Sequence, residues 1–132
     1  LNILKRMRKN ILQSAYLSKD GHIPSSFSIL ECLYCVLIKY PQITGKKFLK
    51  DFDFILSKGH ASLALYAILQ EISLINDSWI TDFSKFESRF GGHPDRNKVQ
   101  GYQQGGVVVF RRNSPRAQKF AETAERFHPV QR

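Results

Sequence analysis

Cysteine is scarce in this chain of 132 residues. The two present, Cys32 and Cys35, cannot supply the disulfide framework on which small secreted domains depend. With no second pair beside them, they also fall short of the four convergent ligands of a structural zinc site. No uninterrupted apolar run approaches the roughly 20 residues needed to cross a bilayer. A signal peptide is not expected either, because Lys5, Arg6, Arg8 and Lys9 crowd the start and no apolar h-region follows. The chain begins at Leu1 rather than methionine, so an incomplete or unusual start is expected. At 42% hydrophobic residues it is too apolar for full disorder, and its length suits one domain and hardly two. The expectation is a cytoplasmic domain or part-domain.

Acidic side chains are also few, 11 against 20 lysines and arginines, for a net charge of +9. Such an excess permits nucleic-acid or acidic-membrane binding through counterion release. Its distribution argues against a dedicated patch. Residues 100–132 hold 6 basic and 2 acidic groups, almost half of the excess in a quarter of the chain. The dense spots, Lys5 to Lys9 and Arg111-Arg112, lack interleaved aromatics placed to stack bases. Solvated basic faces with an affinity for small phosphate-bearing molecules are expected instead.

Ile3, Met7, Ile11 and Ala15 recur every four residues, as do Leu4, Leu12 and Tyr16, which predicts an amphipathic helix over 3–18. Asp20-Gly21 stops it. Ser28 and Glu31 have capping-box spacing and would open a helix over 29–40 that is apolar nearly all round. Such a helix must be buried between other elements. A short chain offers few covering layers, so exposed apolar surface and association are expected. Cys32 and Cys35 fall inside that run, where packing as small hydrophobes outweighs a redox or metal role. Residues 41–51 read as a polar connection, 52–56 as a strand, and 61–72 as a second apolar helix. A short helix is predicted over 78–86, with Trp79, Ile80 and Phe83 on one side, followed by a Gly-Gly-His-Pro loop. Val107 to Phe110 reads as a strand and Ser114 to Phe127 as a weak, highly charged helix. This order suggests part of an α/β layered fold.

Three histidines each follow a glycine in loops at the ends of these elements: Gly21-His22, Gly59-His60 and Gly92-His93. Glycine lets the backbone approach a ligand, and an imidazole titrates near neutrality and can donate, accept or relay a proton. Any one of them alone reads as a loop histidine bonded to backbone. Three in the same context point to a shared site.

The segments that carry these histidines are Asp20-Gly-His22-Ile-Pro-Ser25-Ser-Phe-Ser28, Phe54-Ile-Leu-Ser57-Lys58-Gly59-His60-Ala61 and Phe90-Gly-Gly-His93-Pro94-Asp95. In order and spacing they resemble the successive signature segments of the transketolase amino-terminal region, in its shorter, two-chain form. The resemblance covers residues 1 to about 99. It implies an incomplete three-layer thiamine-diphosphate-binding fold, α/β in class and mostly helical in this stretch. It also implies transfer of a two-carbon ketol unit between sugar phosphates, with thiamine diphosphate and magnesium as cofactors. By similarity His22, His60 and His93 would be catalytic: His22 near the thiazolium and the donor hydroxyls, His60 beside the diphosphate, and His93 on the reacting hydroxyl. Gly59, His60 and Ser25 would line the cofactor channel. The partners the family implies are a homo-oligomer and a carboxy-terminal transketolase subunit, with nucleic acid and membrane not expected.

The resemblance breaks at about residue 100. The glycine-rich cofactor segment is reduced to Gln100-Gly101-Tyr102-Gln103-Gln104-Gly105-Gly106, and no Gly-Asp-Gly metal and diphosphate motif occurs anywhere. No metal ligand is therefore assigned. Residues 100–132 read as a divergent basic tail, disordered or frameshifted, and the chain as an enzyme-derived fragment inactive by itself. The alternative is a basic nucleic-acid-binding or protein-interaction module without catalysis.

Overall fold

The computed structural model describes residues 2–46, 54–94 and 107–109. Helix α1 (Asn2–Ser18) puts Met7, Ile11 and Ala15 on one buried face, together with Ser14. The second expected stripe is not buried: Leu12 is 46% and Tyr16 81% exposed. Successive residues lie about 100° apart around a helix, so Leu12 cannot share the narrow face that Ile11 occupies. Lys19, at φ 53, takes the left-handed conformation just past the helix, and Gly21 follows at φ 106.

Helix α2 (Ile23–Tyr34) begins five residues before the expected Ser28 cap, with Pro24 in its first turn, where a missing N–H costs nothing. Ser28 and Glu31 therefore form no capping box. The Ser28 hydroxyl donates to the Ser25 carbonyl at 3.1 Å, and Glu31 pairs with Arg8 of α1. The helical path continues through a π-helical turn (Cys35–Lys39) into α3 (Tyr40–Thr44). Pro41 has no N–H to give the helical ladder, and the wider turn falls directly before it. Gly45, left-handed at φ 70, closes the segment through its N–H to the Pro41 carbonyl at 3.0 Å. Residues 41–44 are thus helical rather than a polar connection.

The apolar helix is not buried all round. Leu30, Leu33, Leu37 and Ile38 face the core, whereas Val36, Tyr40 and Ile43 are exposed, as are Cys32 and Cys35. The cysteines therefore do not pack in the core, because the described elements cover only one side of this helix. Among the described residues Ile23–Thr44 is long and apolar enough by composition to cross a membrane, although Glu31 and Lys39 interrupt it. A core helix passes the same test, and here α2 packs on α4 (Ser62–Glu71).

Helix α4 is the centre of the structure: every residue from Ser62 to Leu69 is buried. Truncating such a leucine or isoleucine to alanine removes about 2–5 kcal/mol. Helix α1 lies against it and against α5 (Trp79–Asp82). The Gln70 side-chain oxygen accepts from Asn10 at 3.1 Å and from the buried Trp79 indole at 2.9 Å, so the indole N–H is satisfied. The expected helix over 78–86 stops at Asp82. Phe83 turns extended (φ −55, ψ 130), and Ser84 and Glu87 take φ 60.

Strand β1 (Phe54–Leu56) pairs in parallel with β2 (Val107–Val109), Phe54 opposite Val107 and Leu56 opposite Val109. A parallel pair requires a long crossover, and α4 and α5 lie within it. The described residues are thus mostly helical, with this one strand pair, and they do not by themselves make the full three-layer α/β arrangement. The expected helix over 114–127 lies outside the described residues, as does the rest of the tail beyond β2.

Candidate active site

The site is built at the carboxyl end of β1, where open α/β sheets present their ligand-binding loops. Directly after the strand, Lys58 enters a 3-10 turn (Gly59–Ala61) whose closing bond runs from the Ala61 N–H to the Lys58 carbonyl at 3.0 Å. This turn delivers His60. His22 stands at the amino end of α2, where its carbonyl accepts from the Ser26 N–H at 3.0 Å. His93 comes from the loop after α5.

The three imidazoles meet. His22 and His60 have ring centroids 5.4 Å apart, and His60 and His93 4.8 Å apart, both pairs edge to face at 68°. All three rings are exposed, so they stand on an open surface and not inside an enclosed cavity. The groove of about 460 Å3 nearest in sequence is lined by Leu12, Ala15, Tyr16 and residues 19–21 and 23, and none of the histidines lines it.

Two of the rings have a close neighbour outside the cluster. His22 Nδ1 and Ser25 Oγ are 2.9 Å apart, a bond that orients the ring from one helical turn away. At Gly59 an added Cβ would lie 2.5 Å from His93 Cδ2, so the glycine is what lets the third ring lie against the 3-10 turn. The Lys58 ammonium donates to Ser28 Oγ at 2.7 Å, placing a cation beside the hydroxyl row of α2. The expected residues His22, Ser25, Gly59, His60 and His93 thus occupy one region.

Several supporting residues had no signal strong enough to single them out. Asp20 accepts from the Gly21 N–H at 2.6 Å and from the Ser84 hydroxyl, which joins the first loop to the third. These bonds, the Ser84 hydroxyl first and the Gly21 N–H second, hold the Asp20 carboxyl below its ordinary value of 3.8, with burial opposing weakly. Tyr66, fully buried in α4, donates its phenol to the Gly91 carbonyl at 3.0 Å. A tyrosine inside an apolar helix signals that its hydroxyl needs a partner, but not which one.

Residues 3–106 match the family model described as transketolase, thiamine diphosphate binding domain. The chain is 30% identical over 93 residues to an apulose-4-phosphate transketolase subunit of Phocaeicola vulgatus, covering 68% of this chain and 33% of that one. It is 29% identical over 91 residues to "Ferredoxin fas2" of Rhodococcoides fascians, covering 66% and 29%. To mouse transketolase it is 29% identical over 92 residues, covering 67% and 15%. The chain therefore spans a third or less of the length of these relatives. No solved structure matches significantly.

Proposed function

We propose, from the premise that the chain belongs to the transketolase thiamine diphosphate-binding domain family, that the histidine cluster is the coenzyme and sugar end of a ketol-transfer site. The observation that carries this reading is the meeting of His22, His60 and His93 from three separate loops. Thiamine diphosphate, when bound, supplies the carbanion chemistry that a protein lacks. The residues of this chain bind, orient and move protons around it. Exposed imidazoles are open to a ligand, and Gly59 leaves room where a side chain would collide with His93. His60 and Gly59 would hold the diphosphate side. His22, steadied by Ser25, would donate to or accept from a substrate hydroxyl, and His93 would do the same at the reacting carbon.

Among the described residues no group of three His, Cys, Asp or Glu side chains could hold a metal ion, so no step is assigned to one. The proposed organisation is a partial coenzyme-binding domain over 1–99 followed by a divergent basic tail over 100–132. On this reading the chain is cytoplasmic, inactive in ketol transfer by itself, and reliant on further subunits for the rest of the site. Two relatives carry names that make each of them one subunit of an apulose-4-phosphate transketolase, and such a divided arrangement supports the reading.

Isothermal titration of the full chain with thiamine diphosphate tests it. Saturable binding that is lost in His60→Ala supports the proposal. Absence of binding, with tight and salt-sensitive binding to random DNA in its place, would favour a basic nucleic-acid module.

A further inference from the structure

Asp20 and Ser84 are 64 residues apart in sequence, yet the Ser84 hydroxyl donates to the Asp20 carboxylate. Each also holds its own loop. Asp20 accepts from the Gly21 N–H at 2.6 Å, one residue before His22. The Ser84 N–H donates to the Phe90 carbonyl at 2.8 Å, three residues before His93. Ser84 adopts φ 60, a conformation that costs a non-glycine residue energy and persists only where its surroundings impose it. Phe90 is buried and packs edge-on against Tyr66, with centroids 5.3 Å apart, and the Tyr66 phenol holds the next residue, Gly91. On the other side Gly21, at φ 106, is pressed so closely on α4 and Phe83 that a Cβ would lie 2.7 Å from the Leu63 Cδ1. The two histidine loops are thus each packed on the core and joined to one another by the Ser84–Asp20 side-chain bond.

We propose that Asp20 and Ser84 are a positioning pair that sets where His22 and His93 stand on either side of His60. Both act through the loops that carry the rings, Asp20 through the Gly21 N–H and Ser84 through the Phe90 carbonyl. The inference gains its functional meaning from the ketol-transfer reading, but its geometry is independent of any ligand.

Histidine-resolved NMR on the full chain tests it without a cofactor, so its failure leaves the coenzyme reading untouched. The wild type is expected to show inter-ring contacts for His22–His60 and His60–His93. In Asp20→Ala and Ser84→Gly the His22–His60 contact is expected to be lost and the His22 ring resonances to move, with the helical far-UV signal unchanged. Both sites are exposed, and glycine at 84 accepts φ 60 without strain, so these variants separate the hydroxyl bond from the backbone. Retention of both inter-ring contacts and of the His22 ring resonances in both variants would overturn the proposal. Hydrogen exchange on the wild type gives a second reading without any substitution. Protection of the Gly21 and Ser84 amides supports the clamp, and free exchange at both would overturn it.

Discussion

The phenol of Tyr66 donates to the backbone carbonyl of Gly91 at 3.0 Å, so the most buried of the described helices holds the loop that delivers His93. Tyr66→Phe keeps the ring and its contacts with Trp79, Phe83 and Phe90 but removes that bond. The expected loss is about 1 kcal/mol, read as a melting temperature lower by roughly 4–8 °C. An unchanged melting temperature would show that the bond contributes nothing net.

Two glycines beside histidines are expected to respond differently to alanine. At Gly21 the positive φ and the collision with fully buried Leu63 leave no relief, and Gly21→Ala should cost about 1–3 kcal/mol in urea unfolding. At Gly59 the collision is with the exposed His93 ring, which can swing away. Gly59→Ala should therefore change stability by less than about 0.5 kcal/mol while shifting the His93 ring resonances. Equal destabilisation by the two would contradict this reading of the site.

The Asp20 carboxyl has its pKa lowered in the folded chain, so its bonds add stability that is fully present above the ordinary value of 3.8. That stability is lost as pH falls through the lowered folded value. Acid unfolding curves of the wild type and Asp20→Asn are thus expected to converge below that window and separate above it. Parallel curves across the whole range would mean that the carboxylate bonds are no stronger in the folded state.

Cys32 and Cys35 are both exposed. Both should react with a thiol reagent under native conditions, without denaturant, as readily as the unfolded chain does. Protection of either one would show that some other surface covers this face of α2 and the π-helical turn.

Much of this was legible in the sequence wherever local spacing decided the outcome. The Met7, Ile11, Ala15 stripe, the strand at Phe54–Leu56 and the buried run after Ala61 follow from periodicity. So does the Gly-His repetition that led to the site. What failed was local grammar overruled by distant partners. The capping box at Ser28 and Glu31 does not form because α2 already begins at Ile23, and its two members pair instead with Lys58 and Arg8. The cysteines looked like core because their neighbours are apolar, although which side of a helix is covered depends on elements elsewhere in the chain. The bond between Asp20 and Ser84 left no trace, because a bond between two loops has no spacing to read.

The most direct test of the proposed coenzyme site is a titration of the isotopically labelled full chain with thiamine diphosphate, followed at the histidine rings. Resonances of His22, His60 and His93 should move together and saturate at one common ligand concentration. Independent movement of the three, or saturable shifts confined to other residues, would contradict the site proposed here.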